Sequence, residues 1–222
     1  MNSNHKKVLV LDVGGTHVKI HATHSGQTVN IVSGLKMTAR QMAAAVKKVT
    51  AGWEYDVVSI GYPGPVMKHK PLREPHNLGG GWVKFDFKKA FGKPVKIVND
   101  AAMQALGGHH GGHMLFLGLG TGLGSTLVVD EALIPLELAH LPYKKNRTYE
   151  EYLGNAGLER LGKKKWREHV FKVIELLKNA FLAEYVVLGG GNARLFKKLP
   201  PGIELGKNSN AIRGGERLWN KA

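Results

Sequence analysis

Two short glycine-rich turns, each set between apolar strand-like runs, restrict this chain more than any other feature. The first follows Lys7–Val13. There Gly14-Gly15 breaks an apolar run, and Val18, Ile20 and Ala22 then alternate with polar residues. The second follows Met114–Leu119. There Gly120–Gly124 leads into the returning run Ser125–Val129. After each turn, helical spacing and short apolar runs alternate. In the first half Thr38 and Gln41 have the spacing of a capping box ahead of Met42, Val46 and Val49, with Gly52 as the stop. Val57–Ile60 and Val95–Val98 read as buried strands, and Asn99-Asp100 opens a helix through Leu106. In the second half, helices are expected around Tyr149–Leu161, Trp166–Phe181 and Ala211–Asn220. A strand is expected at Tyr185–Leu188. Repetition of strand, turn, strand and then mixed helices and strands predicts an α/β fold of two lobes around a cleft. The boundary falls in the Gly/His segment 107–113, giving domains 1–107 and 108–222. The last helix is free to pack back on the first domain.

The 222 residues carry 32 Lys+Arg against 17 Asp+Glu, a formal charge of +15. Such a field draws in anions and weakens with salt. It suits nucleotides, inorganic polyphosphate, nucleic acid or acidic membranes, or it is simply a solubilising surface. The chain has no cysteine, which excludes disulfides and thiolate zinc sites. Met1–Lys7 is polar, Val8–Val13 is too short for a signal peptide, and no run reaches the ~18 apolar residues of a membrane span. A cytoplasmic protein without membrane contact is expected.

The turns have a chemistry of their own. In Asp12-Val13-Gly14-Gly15-Thr16 the glycines let backbone N–H groups approach an anion. Thr16 adds a hydroxyl, Lys19 a cation, and Asp12 a carboxylate for a hydrated Mg²⁺. A plain tight hairpin explains the same residues. The alternate glycines of Gly118–Ser125 are harder to account for by packing, and Gly120, Thr121 and Gly122 read as a phosphate cradle. Neither turn ends in the Gly-Lys-Ser/Thr of a Walker A loop or has the GxGxxG spacing of dinucleotide folds. Gly189-Gly190-Gly191 ends a strand before an apparent helix. It is either a further phosphate site or a bare helix start. Asn99-Asp100 is either a helix cap or a sugar-binding amide beside a proton-accepting carboxylate. Glu137 and His140, three apart, could grip vicinal hydroxyls. His109, His110 and His113 form either a metal loop or an inter-domain linker.

Taken in order, these segments resemble the ROK family of sugar kinases in the actin-like ATPase superfamily. Asp12–Lys19 looks like its first phosphate motif and Gly61-Tyr-Pro-Gly-Pro-Val66 like its sugar loop. Asn99-Asp-Ala-Ala102 looks like the catalytic motif and Gly118–Ser125 like the second phosphate motif. Glu137-Leu-Ala-His140 is similar to Glu-x-Gly-His, and Val186–Asn192 to the donor-site turn. Thr148–Tyr152, Lys163–Arg167 and Asn208–Ala211 resemble the polyphosphate glucokinase branch. The resemblance implies an actin-like (ribonuclease H-like) fold with the active site in the inter-domain cleft. It also implies glucokinase activity on the 6-hydroxyl of glucose, with Mg²⁺ and a polyphosphate or ATP donor. By resemblance, Asp100 is the general base, and Gly64, Asn77, Asn99, Glu137 and His140 hold the sugar. Gly14, Gly15, Thr16, Lys19, Gly120, Thr121 and Gly122 surround the phosphates. Ala139 stands where the family motif has glycine, and Pro142 where relatives carry a polar residue. The first phosphate motif begins at Asp12, so no DNA-binding region is expected ahead of it. The resemblance allows a homodimer, although no interface is legible. Two other readings are an ATP-dependent kinase of another hexose (N-acetylmannosamine, N-acetylglucosamine or fructose) and a non-catalytic sugar or polyanion binder.

Overall fold

The computed structural model describes residues 5–207 and 209–220. Residues 1–4 of the polar start, and Asn208 of the Asn208–Ala211 run, lie outside the described residues. The chain divides into two compact units. One runs to Met103 and resumes at Ala211, and the other is Gln104–Asn210.

In the first unit, β1 (Val8–Val13), β2 (His17–Ala22) and β3 (Thr28–Val32) form an antiparallel meander. Helix α1 (Ala39–Val49) follows, and its capping box is made in both directions between Thr38 and Gln41. β4 (Val57–Tyr62) pairs parallel with β1. β5 (Val66–Met67) and β6 (Lys70–Pro71) are a small hairpin, and α2 (Phe87–Phe91) is a single capped turn and a half. β7 (Val95–Asn99) closes the sheet parallel to β4 and runs directly into α3 (Asp100–Gly108). The sheet order is β3-β2-β1-β4-β7.

Alternation along β1 distributes the core. Leu9, Leu11 and Val13 face the cluster built with Met42, Ala43 and Val46 of α1. Val8 and Val10 face Met103 and Ala211 on the other side. The period of two therefore puts Asp12 on the face where α3 packs.

The second unit repeats this order. β8 (His113–Leu119), β9 (Leu123–Val129) and β10 (Ala132–Leu136) are antiparallel, and β9 and β10 are joined by Asp130 and Glu131, both at positive φ. β11 (Pro142–Lys144) and β12 (Arg147–Thr148) form a hairpin ahead of α4 (Tyr149–Leu153) and α5 (Asn155–Ala180). β13 (Tyr185–Gly189) and β14 (Ile203–Leu205) complete a sheet of order β10-β9-β8-β13-β14. The Tyr149–Leu161 helix expected from spacing is broken at the extended Gly154, and α5 itself kinks at Gly162, where φ is 71°. Gly107 and Gly108, expected in a linker, are the end of α3.

The last helix, α6 (Asn210–Arg217), stops three residues short of Asn220. Its end is fixed on the first sheet by a buried hydroxyl. Ser59 Oγ donates to the Gly215 carbonyl at 2.6 Å and accepts from Trp219 Nε1 at 3.0 Å, while Lys96 Nζ lies 4.4 Å from the Trp219 ring. Removing the hydroxyl leaves the buried Gly215 carbonyl without its donor, which costs about 1–3 kcal/mol, and the half-buried Trp219 N–H adds little because water reaches it. Ser59→Ala is therefore expected to lower unfolding free energy by about 1–3 kcal/mol in urea titrations followed by Trp fluorescence. A loss below about 0.3 kcal/mol would mean this bridge does not hold the C-terminal segment.

Candidate functional site

In the first unit the parallel strands β1, β4 and β7 end together. Asp12 is level with Gly61, Gly61 with Val98, and Tyr62 with Asn99. In parallel α/β sheets, ligands bind at this C-terminal edge. The edge carries Asp12, Gly14, Gly15, Thr16, Gly64, Asn99 and Asp100, with Asn77 against the turn: a Cβ on Gly15 would stand 3.0 Å from that of Asn77. Lys19 sits opposite Asp12 across the β1–β2 pair.

Gly61 decides how close Asp100 comes. A Cβ there would collide with Met103 Cε and lie 3.5 Å from Asp100 Cα. Only a glycine in the middle strand lets the first turn of α3 lie down on it. Asp100 is the first helical residue and accepts the Ala101 N–H at 2.8 Å. Asn99 caps the helix, its Oδ1 accepting the Ala102 N–H at 3.2 Å, and its Nδ2 donates to the Gly64 carbonyl at 3.1 Å. One side chain thus caps α3 and ties the sugar-loop-like segment to its start.

The two carboxylates raise each other's cost. Burial first, and the charge on Asp12 second, push the Asp100 carboxyl up to about 7, against the pull of backbone N–H groups. Burial raises Asp12 as well, and Lys19 opposes that rise. Asp12 accepts no hydrogen bond among the described residues. An anionic edge with an unpartnered carboxylate fits a hydrated divalent cation.

The Gly14 turn donates fewer groups than its sequence suggests. The Gly14 N–H bonds the His17 carbonyl at 3.0 Å, and the Gly14 and Thr16 carbonyls accept from Ser33 Oγ (2.7 Å) and Ser33 N (2.8 Å). The N–H groups of Gly15 and Thr16 make no hydrogen bond among the described residues. The Thr16 hydroxyl lies 3.2 Å from His17 Nδ1.

In the second unit, Gly118 of β8 is level with Gly189 of β13, so the turns after them are neighbours. Gly120 N–H closes onto the Gly122 carbonyl at 3.1 Å. Three side chains absent from the sequence-based set fix these turns. Glu150 accepts the Leu123 N–H at 3.2 Å. Asn192 donates to Asn155 Oδ1 at 2.7 Å and to the Gly120 carbonyl at 3.4 Å. The Asn155 N–H also reaches the Gly120 carbonyl at 3.0 Å, and Asn192 N–H the Leu119 carbonyl at 2.9 Å. Gly190 has φ 80° and its backbone lies against the Leu119 carbonyl, where a Cβ cannot fit. Thr121 is exposed, and Gly191 has open space beside it. The helix expected after Gly191 is a three-residue 3₁₀ turn, Ala193–Leu195, so no helix dipole serves this turn. Pro200 and Pro201 soon after keep the chain from extending it.

Glu137 is the N-cap of a 3₁₀ turn, Leu138–His140, and His140 ends it; the three-residue period brings both to one side, exposed. Ser125 Oγ holds the turn by donating to the Leu136 carbonyl at 2.8 Å. Ala139, in the place of the family glycine, is 5% exposed and belongs to the hydrophobic core. Its methyl is absorbed by packing. Among the described residues no group of three His, Cys, Asp or Glu is placed to hold a metal. His110 instead stacks on Tyr185 at 4.2 Å and lies 3.3 Å from Glu204, and His109 is buried with Nε2 3.0 Å from the Gly112 carbonyl.

Known proteins resemble this chain in sequence and in fold. The chain is 28% identical over 219 residues to the polyphosphate glucokinase of Mycobacterium tuberculosis, covering 87% of this chain and 81% of that one. The crystal structure of inorganic polyphosphate/ATP-glucomannokinase from Arthrobacter sp. strain KM superposes with a TM-score of 0.76 at 21% identity, over 96% of this chain and 97% of that one. A ROK family glucokinase from Streptomyces griseus, solved with glucose and AMPPNP, gives 0.70 at 16% identity over 96% and 98%. These structural likenesses establish the actin-like α/β fold. The ROK family model matches residues 8–135, more than half of the sequence, and the chain belongs to the ROK family.

Proposed function

We propose that this chain is a glucokinase that transfers a phosphoryl group from polyphosphate, ATP or both to the 6-hydroxyl of glucose. The observation that carries the reading is the placement of Asp100. It stands at the C-terminal edge of three parallel strands, beside a second carboxylate, with its proton affinity raised to about 7. A base with that affinity is matched to a sugar hydroxyl at neutral pH. Asp100 takes the hydroxyl proton as the oxygen attacks the terminal phosphorus, and the donor's bridging oxygen leaves with the remaining phosphate chain. Phosphoryl transfer asks a protein mostly for positioning and charge neutralisation.

By likeness to the family's motifs, Gly64, Asn77, Asn99, Glu137 and His140 are assigned to the sugar. Gly15 and Thr16 with Lys19, and Gly120–Gly122 with Gly189–Gly191, are assigned to the donor phosphates. Gly14 shapes its turn. Asp12 would hold a hydrated Mg²⁺, which when bound neutralises donor charge. Glucose and the donors are taken from the names of the relatives. The basic composition supports a polyanionic donor.

The same residue gives two expectations of opposite sign. Asp100→Asn should reduce glucose 6-phosphate formation, from either donor, by about 10²–10⁴-fold, the usual worth of a positioned base. It should also make the protein more stable at pH 8 in EDTA. A carboxyl near 3.8 when unfolded and about 7 when folded favours the fold in its neutral form. That stability is fully present below pH ~4 and is lost as pH rises to ~7, at most about 4 kcal/mol. The gain of the Asn variant should therefore grow between pH 5 and pH 8. Full activity of the variant with glucose, across both donors, would refute the assigned base. An absence of product from glucose with the unaltered protein, but formation from another hexose, would replace the acceptor.

A further inference from the structure

A basic groove in the first unit lies apart from the strand ends. α1 presents Arg40, Ala43, Ala44 and Lys47 along one face, a spacing of three, four and seven that sets two cations at the ends of an alanine saddle. One helical turn and its neighbour place them about 10 Å apart. The facing wall is Lys84, Phe85, Lys89 and Ala90, around α2, and the space between is a cavity of about 470 Å³. A second cavity of about 380 Å³ shares Asp86 and Lys89 with the first and continues it past Lys88 and Lys93. None of these six cations forms an ion pair among the described residues. The acid in the groove, Asp86, is engaged as the N-cap of α2, accepting the Lys89 N–H at 2.9 Å.

The shape narrows the ligand. The saddle is made of alanines, so a thin chain can lie between the cations without a side chain in its way. Single-stranded nucleic acid is held by aromatic faces on which bases stack. The aromatic ring here, Phe85, is partly buried and packed edge-on against Phe87 at 4.8 Å. The groove thus has the charge for a polyanion and lacks the platforms for bases. None of its lining residues belongs to the cluster at the strand ends.

We propose that this α1–α2 groove is a second binding site for a linear inorganic polyphosphate chain, separate from the phosphate turns. Its ligand identity rests on the polyphosphate-donor reading above. The site would hold part of a long chain on the protein while the turns take the reacting end. The four cations of the larger cavity are exposed, and alanine is the best helix former. Arg40→Ala, Lys47→Ala, Lys84→Ala and Lys89→Ala together should therefore leave the fold and the ATP reaction intact.

The test compares this fourfold variant with a control of equal charge, Lys172→Ala, Lys197→Ala, Lys198→Ala and Lys207→Ala, all exposed. Long-chain polyphosphate binding is measured by calorimetry over a range of salt. The groove variant should bind at least tenfold more weakly. Its log–log salt slope should be shallower by about three, at about 0.7 per lost contact on a single chain. KM for ATP should stay within twofold, and the control should retain affinity. Equal losses in the two variants would reduce the effect to bulk charge and overturn the site. So would unchanged polyphosphate binding in the groove variant while the unaltered protein still phosphorylates glucose from polyphosphate. If the unaltered protein forms no product from polyphosphate but does from ATP, the donor reading fails instead. A thymidine oligonucleotide that binds the groove more tightly than polyphosphate would overturn the ligand assigned.

Discussion

The lie of α3 against strand β4 governs the chemistry of the first unit. Gly61 removes the one Cβ that would push Met103 and Asp100 away. β7 then delivers Asn99 and Asp100 at the edge where β1 delivers Asp12. The alternation of β1 turns Asp12 toward α3, because Val8 and Val10 on the same face already pack against Met103. Two half-buried carboxylates are consequently held near one another, and among the described residues the cation that opposes their rise is Lys19 across the strand pair. That arrangement costs stability. Its return is a carboxyl with a proton affinity near neutral pH, the range of a general base.

The two units share one topology. Each pairs an antiparallel meander with two parallel strands, and each places a glycine turn between the first two strands. They secure that turn differently. In the first unit a serine, Ser33, clasps it through two bonds. In the second, Glu150, Asn155 and Asn192 hold it from the helical layer and from the turn after β13. The N–H of Gly14 is spent on closing its own hairpin, so glycine content alone overstates the number of donors a turn can offer.

Much of this was legible from residue order. The strand, turn, strand start of each unit, the capping box of α1, the buried strands Val57–Ile60 and Val95–Val98 and the helix after Asn99 follow from period and turn chemistry. The missed elements are those whose signal is tertiary. β14 is three residues long and exists through pairing with β13. β10 carries a proline and is stabilised by its register with β9. The helix expected after Gly191 stops after one turn, and Gly154 divides a helical pattern that spacing alone would run together. In the candidate site, the residues at strand ends were readable because glycine and carboxylates are conspicuous there. Glu150, Asn155 and Asn192 were not, because a helix-start Glu or Asn looks the same in sequence whether it caps a helix or braces a distant turn.

The proposed phosphoryl transfer depends on the protonation of Asp100. The most direct measurement is kcat/KM for glucose as a function of pH, since it reports the free enzyme's essential base. With the carboxyl at about 7, the value should fall about tenfold per unit below that pH and level off above it. A profile that stays flat down to pH 5 would show that the group taking the sugar proton has an ordinary carboxylate affinity, and that the carboxylate pair at the strand ends does not set the chemistry.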